Sequence, residues 1–239
     1  MAVTKTDLTS GSISDNLSVN SVNTASISPS SDKLIIVAVL NSDWMGTLDV
    51  PTVSGCGLTW VQIGSINFDY NGAKMTLFRA MGSSPSAGSL TISTATPQGC
   101  YAWSVVEFGN VDTSGTNGSG AVVQYATGSG FNKTNLTITL GAFGSINNAT
   151  YGFFGIEDPF IQNVSPGTGF TEIHESHQTG PTRYTLFTEW RSDNDTTVNC
   201  SVPTFSVDYA GIAIEIKESS GGSPPGTISS KRVIIGHGR

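Results

Sequence analysis

Apolar and polar residues alternate along this chain with a period of two, in short runs that recur from about residue 31 to residue 218. A period of two sends successive side chains to opposite faces of a strand. On that pattern, strands are expected at 58–63, 74–79, 90–92, 101–108, 121–125, 136–140, 151–156, 170–175, 183–190, 196–202 and 210–217. Residues 34–40 are apolar without a break, as in a strand covered on both faces. Asn71-Gly72, between two of these runs, predicts a type I′ hairpin turn. No window shows an apolar stripe at helical spacing. The expectation is therefore an all-β, antiparallel, jelly-roll-like sandwich of about twelve strands with essentially no helix.

The alternation also repeats itself. Gly57-Leu58-Thr59-Trp60-Val61 matches Gly169-Phe170-Thr171-Glu172-Ile173, and Lys74-Met75-Thr76-Leu77-Phe78 matches Arg183-Tyr184-Thr185-Leu186-Phe187. The run Tyr101 to Phe108 matches Tyr209 to Ile216. The offsets are 112, 109 and 108 residues, in order along the chain. Such a period is too long for a solenoid. It predicts two related halves, about 32–108 and 148–217, each hiding an apolar sheet face against the other.

Composition sets the boundaries of the sandwich, expected over residues 31–218. Residues 1–30 are polar with scattered Val and Ile, and read as an extended N-terminal arm. After residue 218 comes Ser219-Ser220-Gly221-Gly222-Ser223-Pro224-Pro225-Gly226, flexible and then stiffened by proline, and a C-terminal tail ending at Arg239. The tail carries the apolar triplet Val233-Ile234-Ile235, with Ile228, Lys231 and Arg232 before it. Left in water, each such side chain forgoes roughly 1.5–3 kcal/mol of burial. These six residues are the expected assembly interface, docking on a neighbouring subunit by strand addition.

Several motifs resemble β-sandwich modules, jelly-roll or immunoglobulin-like, that are common in tailed-phage virion proteins and bacterial surface proteins. They are Gly57 to Trp60, Leu77 to Ala80, Val105 to Asp112, Gly167 to Thr171 and Tyr209 to Ile216. The resemblance implies a virion or surface role and brings no catalytic residues with it.

Charge narrows the partners. Eleven Lys and Arg against eighteen Asp and Glu give a net charge of −7, unsuited to phosphate backbones, so no nucleic acid is expected. The longest apolar run, seven residues, is far short of the ~20 that a membrane helix needs, and the N-terminus lacks a signal-peptide pattern. Three widely spaced cysteines, Cys56, Cys100 and Cys200, are expected as buried thiols, with a Cys100–Cys200 bridge left open.

Little chemistry is legible. Glu172, His174, Glu175 and His177 fall on alternating faces and would converge on a metal only through a bulge. Asp193-Asn194-Asp195 reads as a turn, although its oxygens suit calcium. Glu107 and Glu215, equivalent in the repeat, are expected exposed at strand ends. Tyr70, Trp44 and Phe160, in expected loops, could offer a glycan platform. No catalytic residue, cofactor or metal ligand is therefore assigned. The functional expectation is a virion structural protein, specifically a capsid decoration or cement protein of a tailed phage, made in the host cytoplasm. Its partners would be the major capsid protein or copies of itself, as a homo-oligomer. The alternative is a glycan- or receptor-binding module of a tail fibre or adhesin, or a tail or neck component.

Overall fold

A computed structural model describes residues 1–13, 18–43, 47–157, 160–178 and 183–219. Eight strands make the first half: β1 (Thr4–Ile13), β2 (Val19–Asn23), β3 (Leu34–Ser42), β4 (Thr52–Ser54), β5 (Val61–Phe68), β6 (Ala73–Ala80), β7 (Thr91–Gln98) and β8 (Cys100–Gly109). Eight more make the second: β9 (Val122–Lys133), β10 (Asn135–Thr139), β11 (Ala149–Glu157), β12 (Ser165–Pro166), β13 (Thr171–His177), β14 (Tyr184–Arg191), β15 (Thr197–Ser201) and β16 (Val207–Ile216).

The pairing order is the same in both. The first half has a large sheet β1-β8-β3-β6-β5 and a small one β2-β7-β4. The second has β9-β16-β11-β14-β13 and β10-β15-β12. Adding eight to each strand number of the first half reproduces the second. All named ladders are antiparallel. The winding is that of a jelly roll, with its fifth strand carried on the edge of the larger sheet. The expected pseudo-repeat is thus present strand for strand.

Burial explains the stacking. The two large sheets face each other across one core that takes Leu34, Ile36 and Leu40 from β3 and Tyr151 and Phe153 from β11. The alternate residues of β3, Ile35, Val37 and Val39, fill a second core under the small sheet of their own half. Phe154 and Ile156 of β11 do the same in theirs. The uninterrupted apolar run is therefore a central strand covered on both faces, as its pattern predicts. Across the central core β1 lies over β13 and β5 over β9, while β8 meets β14 and β6 meets β16. Because β1 corresponds to β9 and β5 to β13, the halves are related by a pseudo-two-fold axis.

Three expectations change. Residues 1–30 are not an arm: they hold β1 and β2, which complete the two sheets of the first half. The polarity of these two strands is that of edge strands with one face in water: they send Leu8, Ile13, Val19 and Val22 to the core, and Val3 and Ile27 beside them are buried as well. Together with β4 and β12, which are three and two residues long, they raise the count from twelve to sixteen. The second repeat accordingly begins at Val122 rather than at 148. At the β5–β6 hairpin the left-handed residues are Asp69 and Tyr70, with φ of 50° and 49°, while Gly72 is right-handed. The hairpin exists, but the chain reverses on left-handed Asp69 and Tyr70, closed by the Gly72 amide donating to the Asp69 carbonyl at 2.6 Å, and not by a type I′ turn on Asn71-Gly72.

Candidate functional site

The repeated Tyr and Glu of β8 and β16 are devices of the fold. Tyr101 is buried, its hydroxyl donating to Thr94 Oγ1 at 2.5 Å and lying 3.3 Å from the Val19 carbonyl. Tyr209 accepts from the Thr137 amide at 3.2 Å and donates to the Thr137 carbonyl at 3.1 Å. Each ring thus ties the small sheet of its half to the large one. Glu107 and Glu215 are buried rather than exposed. Glu107 accepts from the Ser30 amide at 2.6 Å; Glu215 accepts from Asn148 Nδ2 at 2.5 Å and Gln124 Nε2 at 2.6 Å. Both clamp the loop before the central strand of their half. A hollow of about 250 Å³ opens beside Glu215, but the carboxylate is already occupied by those donors.

The strand that could have held a metal does carry a bulge, between Glu172 and His174, yet its side chains part. His174 turns to the facing sheet, with Nδ1 2.8 Å from Ser104 Oγ, and burial lowers its pKa. Glu175 accepts from the Val164 amide at 3.0 Å and lies 3.7 Å from His177 Nε2. His177 Nδ1 is spent on Thr185 at 2.8 Å. Arg191 neutralises the acidic turn, reaching Asp193 at 2.5 and 3.0 Å and Asp195 at 2.6 Å. Its bonds hold the Asp193 carboxyl below the usual range. Among the described residues no three His, Cys, Asp or Glu side chains meet in a metal-binding arrangement. Cys56, Cys100 and Cys200 are buried, and no disulfide joins Cys100 to Cys200.

One carboxyl stands apart. Glu189 of β14 is fully buried in the second half. Its Oε2 accepts from the Gly167 amide at 3.0 Å, and Oε1 has no partner. Burial pushes its pKa up to about 8, so the group is neutral at pH 7.

Among the described residues, most of the exposed large apolar side chains are clustered. At one end of the molecule Tyr70, 86 % exposed, lies 5.8 Å from Phe131, and Phe160 lies 4.6 Å from Phe205. A cleft of about 160 Å³ beneath the first pair is lined by Asn67, Asp69, Ser129 and Tyr209 among others. From Phe131 the outward positions of β9 run back through Tyr125 to Val123, each about half exposed. The Tyr125 ring lies against the backbone of Gly64 in β5, where a Cβ would come within 2.9 Å of it. Two consecutive left-handed residues, Asp69 and Tyr70, hold the Tyr70 ring outward, a conformation that costs roughly 1–2 kcal/mol per residue.

Sequence reading finds Tyr70 and Phe160 but misses Phe131, Phe205 and the outer half of β9. Gly128 and Gly130 interrupt that strand and read as a loop. The overlooked signal is the alternation Val123, Tyr125, Phe131 on odd positions, without a charge from 122 to 132. Trp44 lies outside the described residues, as do Ile228, Lys231, Arg232, Val233, Ile234 and Ile235. Comparison with protein-family models, curated proteins and solved structures finds no match to this chain.

Proposed function

We propose that the chain is a structural protein of a virion surface, a capsid decoration protein that engages neighbouring subunits. The observation that carries this reading is a division of labour. Of the polar groups most suited to chemistry, buried Glu107 and Glu215 and part-buried Glu175 and His177 are bonded into loops and strands, and Glu189 is sealed inside the second half with one oxygen on the Gly167 amide. Among the described residues, six of the nine exposed large apolar side chains instead collect along β9 and one loop end, as in a surface made for contact. The virion setting is supported by the strand motifs, which resemble those of phage sandwich modules. The second reading, a glycan-binding module, is favoured by the Tyr70–Phe131 cleft, whose aromatic faces and polar rim suit a sugar ring.

Copy number per purified particle separates the two, measured by quantitative mass spectrometry on the assembled particle. Decoration predicts a number comparable to that of the shell subunits, and deletion of residues 220–239 should leave a folded chain that no longer attaches. A handful of copies, or attachment at undiminished affinity after the deletion, overturns decoration.

A further inference from the structure

The pseudo-axis makes β1 and β9 equivalent edges of the two large sheets, and they are finished in opposite ways. β1 is guarded: Lys5 pairs with Asp7 at 2.7 Å, and a bulge breaks its register between Asp7 and Thr9. Charges and bulges on an edge are how folded proteins stop strand addition. β9 has neither over its middle. It pairs with β16 without interruption from Gln124 to Gly130, and among the described residues no other strand takes its outer edge. The run 122–132 holds no charged residue, and its outward positions Val123, Tyr125 and Phe131 are half exposed. Such an edge left bare is a site of uncontrolled pairing, unless pairing is its purpose.

We infer that β9 pairs antiparallel with β9 of a second copy, about a two-fold axis at Thr127. Three features single out this occupant. Thr127 is the midpoint both of the regular ladder, 124–130, and of the uncharged run, 122–132. In that register Val123 falls opposite the partner's Phe131 and Tyr125 opposite the partner's Ser129, so apolar and small residues meet. On the other face Ala126 meets the partner's Gly128, and Lys133 falls beyond the paired segment. Each chain carries a net charge of −7, so a self-association site has to be an uncharged stretch such as this one. The apolar strip is also continuous with the central core, because Val122 packs against that core and Tyr125 covers Gly64. The result joins two five-stranded sheets into one of ten strands.

This inference deepens the assembly role and rests on it. Sedimentation of the full chain from micromolar to submillimolar concentration should show a monomer–dimer equilibrium. Thr127 is exposed, so Thr127→Lys and Thr127→Glu should fold and melt with the parent at concentrations where the parent is monomeric. Each alone sets like charges directly opposite one another and should raise the dimer dissociation constant by roughly tenfold. An equimolar mixture of the two should recover association as a heterodimer. A chain that stays monomeric throughout overturns the pairing, as does a dimer indifferent to either substitution. A monomer that still decorates particles would sink the edge pairing alone, whereas a dimer missing from particles would sink the decoration role alone.

Discussion

The two halves wind the same eight strands in the same order, yet they fill their shared core by different means. The central strand of the first is aliphatic throughout, Leu34 to Leu40, with a branched or small side chain at every position. Its counterpart β11 alternates aromatic rings with glycine: Tyr151-Gly152-Phe153-Phe154-Gly155. Gly155 makes room for what the other half supplies, and Gly152 for Val198 of its own half. A Cβ on Gly155 would come within 2.8 Å of Met75 Sδ and 2.9 Å of Leu40 Cδ1. What is held constant between the halves is the total volume across the sheet-to-sheet gap, since interiors are packed nearly without voids. Residue identity at any one site is free to drift. The aromatic strand therefore concentrates in a few rings what the aliphatic strand spreads over seven side chains.

The strongest way to break this comparison is to remove one of those rings. Phe153 is fully buried in the core that both halves share. Phe153→Ala should destabilise the protein by about 3–5 kcal/mol, the range for an aromatic deleted from a core that cannot collapse. The loss should be felt in both halves. Hydrogen exchange read by mass spectrometry should show β3 and β11 losing protection together. Unchanged protection in β3 would mean that the halves are separate folding units that merely touch.

A second contrast lies where β6 and β14 correspond. The first half has buried Ala80 at the position where the second has buried Glu189. In the unfolded chain a glutamate titrates near 4.3, while in the fold Glu189 titrates at about 8. Between those values the folded state holds the extra proton, so this group costs stability progressively as pH rises from about 4 to 8. The full cost is on the order of a few kcal/mol, reached above pH 8. Glu189→Gln keeps the size and can still accept from the Gly167 amide, but it does not ionise. It should match the parent at pH 4 and exceed it increasingly towards pH 9, in urea unfolding series at each pH. A difference independent of pH would place the proton elsewhere.

The halves were not equally legible in the sequence, and the reason is burial. Strands covered on both faces announce themselves by long apolar runs, unbroken in β3 and interrupted in β8 only at Ser104 and Glu107. Interior strands of the second half could be read from their matches to the first. Edge strands were lost. β1, with Lys5 and Asp7 among its threonines and serines, shows water one whole face and lacks the alternation that marks a strand. The end of β9 was lost to Gly128 and Gly130, which are there for close approach: a Cβ on Gly130 would meet the Tyr209 ring at 2.7 Å. The candidate contact surface lies on these poorly legible elements, because an edge strand that serves association lacks the core-facing pattern that sequence reading relies on. Glu107 and Glu215 misled in the opposite sense. A carboxylate at a strand end is normally in water, and nothing local reveals that a loop amide will cover it.

The smallest predicted effect tests how far the equivalence extends to single hydrogen bonds. Tyr101 and Tyr209 open corresponding strands and tie corresponding small sheets, so symmetry alone predicts equal costs for Tyr101→Phe and Tyr209→Phe. The partners left behind differ. Without the Tyr209 hydroxyl, the amide and carbonyl of Thr137 belong to an exposed residue and can turn to water. That substitution should cost about 0.5–1 kcal/mol. Without the Tyr101 hydroxyl, Thr94 Oγ1 is buried and loses a bond that water cannot readily replace, although it still donates to the Thr96 carbonyl at 2.8 Å. The expected cost there is higher, about 1–2 kcal/mol, since an incompletely satisfied buried group carries a desolvation penalty. Paired urea titrations of the two variants resolve a difference of this size. Equal costs would mean that solvent access, which separates the two sites here, does not govern the strength of this repeated tie.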